Sequence, residues 1–264
     1  MIIVKIGGSV FSDKGGEEEN VRTDVVGRIA GEIREFYPGK SFLIVHGGGS
    51  FGHPLAKRYG IRDGLVGNLQ EKRIGFSRTH QAMLRANSLI VDAFLNEGLP
   101  AFSVSTSSVF TSKGGRVASG SLHVIRRLLQ LGLIPVLFGD AVIDEERGID
   151  VLSGDQIMTY LTEELRPEKV IFLMDVDGIY DGKPGEGRLI DELKEDDVER
   201  LLERLRCTSG TDVTGGICNK LREALRMVRF SEVWFVNGLV GGRLKGAIKG
   251  KTATRGTRLI RASV

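Results

Sequence analysis

The residues most able to do chemistry are glycines at the ends of apolar runs, with a few cations beside them. His46 to His53 read HGGGSFGH, directly after the apolar run Phe42-Leu43-Ile44-Val45. Glycines that lead from a strand into a helix turn several backbone N–H groups toward one point, and the helix dipole favours an anion there. A ligand-free turn explains such a run less well, because ordering glycine costs the most backbone entropy. Gly47, Gly49 and Gly52 satisfy G-x-G-x-x-G. Dinucleotide binding also needs an acidic residue about 20 positions on, at a strand end. Glu71 is near that distance but opens a long helical pattern. The G-x-x-x-x-G-K-[ST] phosphate loop is missing as well, since GAIKGKT (246–252) has its first glycine one residue out of place. The loop therefore reads as an anion cradle of another kind. His53 is either a donor to that anion or a surface or capping histidine at the helix start. His46, ending a strand, reads as structural, and His80 and His123 as core or surface residues of helices.

Positioning such a cradle requires a framework. The chain has 264 residues, 41% hydrophobic and 27% charged, enough to bury a substantial core. Strands are expected over 2–6, 41–46, 100–105, 134–138, 169–174 and 232–236. Helices are expected over 24–36, 69–96, 121–131, 155–165, 196–206 and 215–230. This alternation is that of a parallel sheet covered on both faces. Several strands are apolar throughout, as strands buried on both sides must be. Ligands of such sheets bind beyond the carboxyl ends of the strands. The polar, glycine-rich stretches 5–14, 46–53, 138–148, 174–187, 209–220 and 236–246 fall at those ends or lead into a helix. The halves about 1–150 and 151–264 are expected as two lobes of a single domain on one continuous sheet.

Composition narrows the function classes. A net charge of +3, with cations and acids interspersed, does not argue for nucleic acid. No apolar run approaches the ~20 residues that span a bilayer, and the chain opens on a strand-like run without a cleavable leader pattern. Cys207 and Cys218 show no metal-ligand spacing and make no disulfide framework, which suits a reducing compartment. A cytoplasmic protein without nucleic-acid or membrane partners is expected.

KIGGS (5–9), the glycine loop after the second strand, SGD (153–155), MDVDG (174–178) and DVTGGICNK (212–220) together resemble the amino acid kinase superfamily, in order along essentially the whole chain. Within it, HGGGSFGH combined with DVTGGICNK resembles the isopentenyl phosphate kinase family, and SFGH is the specific element. The resemblance implies an open αβα sandwich with a central, mainly parallel sheet. It implies transfer of the ATP γ-phosphoryl group to isopentenyl phosphate, with ATP and Mg2+ as cofactors and a homodimer as the assembly. Fosfomycin-type kinases, and relatives with carboxylate, carbamate or nucleotide acceptors, are the rival readings on the same fold. A non-catalytic nucleotide sensor and a dehydrogenase are the rivals outside it.

The resemblance also implies roles for individual residues. Lys14 would stabilise the transferring phosphoryl group, and Lys5 and Lys220 would touch the ATP β/γ-phosphates. Ile6, Gly7, Gly8, Ser9, Gly49, Asp175, Gly178, Lys183 and Gly215 would line the ATP site. Gly48, Gly49, His53 and Gly154 would hold the acceptor phosphate, and Phe76, with Ile74 near it, would meet the isoprenoid tail. Asp155 either orients a lysine or caps its helix, and Asp140 is either a supporting or a turn residue. No residue is assigned as a direct metal ligand. An acceptor phosphate is largely anionic near neutral pH, its second pKa being about 6. The chemistry then asks for positioning and charge neutralisation, with no general base.

Overall fold

The computed structural model describes residues 1–13, 20–205, 207, 216–251 and 254–262. In chain order its elements are β1 (Ile2–Ile6), α1 (Gly8–Phe11), α2 (Thr23–Arg34), β2 (Phe42–His46), α3 (Gly49–Arg58), a 3-10 turn (Ile61–Asp63), α4 (Leu69–Asn96), β3 (Ala101–Ser103), α5 (Thr106–Val109), β4 (Phe110–Lys113), β5 (Arg116–Gly120) and α6 (His123–Gln130). Then follow β6 (Ile134–Phe138), β7 (Asp140–Asp144), β8 (Gly148–Leu152), α7 (Gly154–Leu165), β9 (Lys169–Met174), β10 (Glu192–Lys194), α8 (Glu195–Arg204), α9 (Ile217–Met227), β11 (Glu232–Asn237), α10 (Arg243–Lys249) and β12 (Thr257–Ile260).

The main sheet has eight strands in the order β10-β12-β11-β9-β1-β2-β6-β3. All its pairs are parallel except β11 with β12. Strands of the first half lie on one side of the β1–β9 junction and those of the second half on the other, so one continuous sheet joins both halves. Its helices lie on both faces, which makes the open αβα sandwich. The pleat sorts β1 by alternation. Ile2, Val4 and Ile6 enter a core shared with α2, α4 and α10, while Ile3 enters the core shared with α6, α7, α8 and α9. Lys5 therefore points to the α7 and α9 side.

Register brings the loops together. Ile6 pairs with His46 and with Leu173, His46 with Phe138, and Leu173 with Val236. Five strands thus end in one row, and the loops after them emerge side by side at the carboxyl edge.

A second sheet, β5-β4-β7-β8, stands beside the first. Residues 138–148, which the sequence presents as a loop, form most of its β7–β8 hairpin. Buried acids conceal these strands. Asp144 is 1% exposed and accepts from the Glu146 and Arg147 N–H groups and from Ser112 Oγ.

The cysteine expectation is corrected. Cys207 and Cys218 form a disulfide with Cα atoms 5.7 Å apart. Packing of α8 against α9 brings the two positions together, which a spacing of eleven residues does not reveal. No described helix is long and apolar enough to cross a membrane.

Candidate active site

Two lysines from different elements converge on one carboxylate. Asp155, in the first turn of α7, bonds Lys5 Nζ of β1, and Lys220 Nζ of α9 lies 3.1 and 3.2 Å from its two oxygens. Lys220 also lies 5.3 Å above the Phe172 ring. The side chains of Lys5, Asp155 and Lys220 are 8%, 14% and 17% exposed. Burial lowers Lys5 to a pKa of about 8, with Asp155 opposing that shift and Lys220 adding to it. Burial works to raise Asp155, but the charges of Lys220 and Lys5 outweigh it and hold the carboxyl well below its usual range.

The local structure explains why Asp155 is available for this. Ser153 caps α7: its Oγ accepts from the Gln156 N–H, and Gln156 Oε1 accepts from the Ser153 N–H. Asp155 is thereby the lysine-orienting residue rather than the cap. Buried Glu223 fixes α9 against α7 by accepting from Thr159 Oγ1 at 2.6 Å, and Arg116 of β5 neutralises it at 2.7 Å.

The glycine loops after β1 and β2 lie against each other. The Gly7 N–H bonds Leu173 O at 3.0 Å and the Gly47 N–H bonds Ile6 O at 3.1 Å, so the loops after β1 and β2 continue the sheet. A Cβ on Gly8 would lie 2.7 Å from the Gly49 nitrogen, and Gly49 has φ +50°. Only glycines allow that backbone contact. Ser12 clamps it, donating to Gly8 O at 2.9 Å while its Oγ accepts from the Ser50 N–H at 3.0 Å. Ser12 was not singled out in the sequence; its polarity beside the buried Val10 and Phe11 is the signal that marks it. Arg22 holds the loop from the other side through Ser9 O at 3.1 Å.

At the start of α3, His53 has its ring against Gly48, where a Cβ would meet Cδ2 at 3.2 Å and Nε2 at 3.3 Å. Gly154 presses against His46 O and Lys5 Cε, each 3.1 Å from where its Cβ would stand. His53, Gly48, Gly49 and Gly154 thus border the same loops as Lys5. His46 is buried, and burial lowers its pKa to about 4; its Nδ1 lies 3.0 Å from Gly47 O and its Nε2 3.2 Å from Asn87 Oδ1. Phe76 packs with Tyr59, Ile61 and Ile149. Ile74 is 42% exposed on another face of α4, so it does not accompany Phe76. Met83, Met158, Met227 and Trp234 are core residues.

Asp175 follows β9 at the same edge and is exposed. Gly178 is buried, and a Cβ there would lie 2.6 Å from Thr257 Oγ1. Lys183 is exposed in the loop after β9, its carbonyl accepting from the Glu186 and Gly187 N–H groups. Lys14 and Gly215 lie outside the described residues. His123 is an exposed helix-start residue, whereas His80 is bonded to Asp140, which is a buried acid and no simple turn residue. Among the described residues no group of three or more His, Cys, Asp or Glu could hold a metal ion, and both Asp155 oxygens face lysines. These residues do not form a protein-built Mg2+ cage.

Comparison with known proteins identifies the family. Residues 1–237 match the amino acid kinase family. An isopentenyl phosphate kinase of Methanothermobacter thermautotrophicus is 39% identical over 98% of both chains. One of Methanocaldococcus jannaschii is 35% identical over 84% of this chain and 85% of its own. A solved isopentenyl phosphate kinase superposes with a TM-score of 0.84 at 35% identity, over 97% of this chain and 99% of the other. On the family match and on relatives above 30% identity across nearly its whole length, the chain belongs to the amino acid kinase family, among the isopentenyl phosphate kinases.

Proposed function

We propose that the protein transfers the γ-phosphoryl group of ATP to isopentenyl phosphate, giving isopentenyl diphosphate and ADP. The observation that carries this reading is the pairing of His53 on Gly48 with the Lys5–Asp155–Lys220 cluster across touching glycine loops. One side suits an acceptor phosphate and the other a nucleotide's phosphates. An acceptor phosphate oxygen attacks Pγ in line, and the bond from Pγ to the β–γ bridging oxygen breaks. The nucleophile is already anionic, so the protein's task is to hold two anions together. Lys5 and Lys220 would neutralise the β/γ-phosphates, and Lys14 would do so for the transferring group. N–H groups of Gly7, Gly8 and Ser9 would face ATP, with Ile6, Gly49, Asp175, Gly178, Lys183 and Gly215 on the nucleotide side. His53, Gly48, Gly49 and Gly154 would hold the acceptor phosphate, and Phe76 its tail.

The reading assigns the acceptor to a lobe of about 1–150 and the nucleotide to one of about 151–264. It includes Mg2+ carried on the ATP phosphates, a homodimer and a cytoplasmic location. The test is ADP release with ATP and, in turn, isopentenyl, dimethylallyl and geranyl phosphates, fosfomycin, acetylglutamate and carbamate. Turnover of isopentenyl phosphate is expected. Turnover of another acceptor class, with none on the isoprenoid phosphates, would overturn the reading.

A further inference from the structure

His80 and Asp140 form a second polar pair beside the acceptor loops, outside the lysine cluster. Phe76, His80, Met83 and Asn87 fall at helical spacing along α4 and share one side of it. Each neighbour locates that side. A Cβ on Gly52, the residue before His53, would lie 2.6 Å from Met83 Sδ. Asn87 Oδ1 lies 3.2 Å from Nε2 of His46, which begins the glycine loop. Phe76 packs in the apolar cluster of Tyr59, Ile61 and Ile149. His80 therefore stands between the apolar cluster and the glycine loop.

Asp140 connects His80 to the phosphate cradle. Its oxygens lie 2.9 and 3.1 Å from His80 Nδ1, and they accept from the N–H groups of Ala141 at 2.8 Å and Ser107 at 3.4 Å. Ser107 Oγ is 3.4 Å from the same imidazole nitrogen. The residue before Asp140 is Gly139, whose N–H bonds His46 O at 3.0 Å and whose Cβ would lie 3.1 Å from the Gly154 nitrogen. The Asp140 side chain is fully buried, while that of His80 is 25% exposed. A buried carboxylate is costly unless it is paired and hydrogen-bonded. A carboxylate on Nδ1–H fixes the ring orientation and supports the imidazolium. Among the described residues His80 Nε2 has no hydrogen-bond partner, and it is the ring nitrogen on the side away from Asp140.

We propose that His80 is a second binding residue for the acceptor's phosphate, donating from Nε2 to a phosphoryl oxygen, with Asp140 as its positioning residue. This rests on the proposed function and adds a second hydrogen-bond donor at the acceptor end, where two anions must meet. The hydrogen bond to Asp140 raises the His80 pKa, so the ring keeps its proton further toward neutral pH.

Steady-state kinetics of wild type, His80→Ala, His80→Gln and Asp140→Asn, varying isopentenyl phosphate at saturating ATP and the converse, provide the test. For His80→Ala the acceptor KM is expected to rise about tenfold or more, the scale of a hydrogen bond to a charged group. The KM for ATP is expected to stay within about twofold on the same basis. His80→Gln, which keeps an N–H donor, recovers part of the loss, and Asp140→Asn falls between. A purely structural tie between α4 and β7 would alter thermal stability and both KM values together, without rescue by Gln; that outcome overturns the proposal, as does an unchanged acceptor KM in a folded His80→Ala or His80→Gln protein. Wild type that fails to turn over isopentenyl phosphate refutes the proposed function instead.

Discussion

Lys220 Nζ lies 3.1 Å from Asp155 Oδ2, 65 residues away in sequence, and the same carboxylate binds Lys5 on the central strand. One acid thus aims two cations from separate elements at the row of loop ends. Like charges that close repel one another. Asp155 offsets that repulsion and leaves a net positive charge for phosphates.

Asp155→Asn is therefore expected to raise the ATP KM and lower kcat, together about tenfold to a hundredfold in kcat/KM, with a smaller effect on the acceptor KM. Leaving buried ammonium groups without their counter-charge is also expected to cost about 3 kcal/mol of stability. Initial rates and a urea titration read the two effects separately. Full activity in a folded Asn variant would refute the orienting role.

The pH dependence follows from Lys5. Its ordinary pKa of 10.5 falls to about 8 in the folded protein. Between these values the unfolded chain holds a proton that the folded chain has released, so this group's contribution to stability rises with pH across that window. ATP affinity moves the other way, because the cation is present below about pH 8 and lost above it. The ATP KM is expected to climb between pH 7.5 and 9 with an inflection that Lys5→Met lacks. A flat wild-type profile would contradict this.

The contact of His53 with Gly48 yields two variants with one direction. His53→Ala is expected to lose acceptor turnover by two or more orders of magnitude while ATP still binds. Gly48→Ala places a methyl 3.2 Å from the His53 ring and should turn it away, giving a weaker form of the same defect. Calorimetry with ATP alone and kinetics with the acceptor distinguish these effects. An unchanged kcat/KM in His53→Ala removes the histidine from the site.

The Cys207–Cys218 bridge closes a loop between α8 and α9. Cross-links of that size typically add roughly 2–4 kcal/mol, mainly by restricting the unfolded chain. Reductant is expected to lower the melting temperature of wild type by several degrees and to leave Cys207→Ser/Cys218→Ser unaffected. Equal melting of the wild type with and without reductant would show that the bridge adds no stability.

The family resemblance pointed to Lys5, His53 and Lys220; local sequence pattern was enough for the alternation of buried strands and helices and for the glycine loops at strand ends. These depend on periodicity and on glycine at turns, which are short-range. The long helix α4 is an example: its capping Asn68 and its extent to Asn96 follow from local composition. The β7–β8 hairpin was hidden, because its buried acids are satisfied by N–H groups that only the turn geometry supplies. Asp155 was legible as a candidate but not as the hub of two lysines, since that depends on parallel register joining β1, α7 and α9. The same holds for His80 with Asp140, 60 residues apart, and for the disulfide. Residue types and local structure are written in neighbouring positions, whereas which charges meet is decided by long-range packing of strands and helices that the local pattern does not encode.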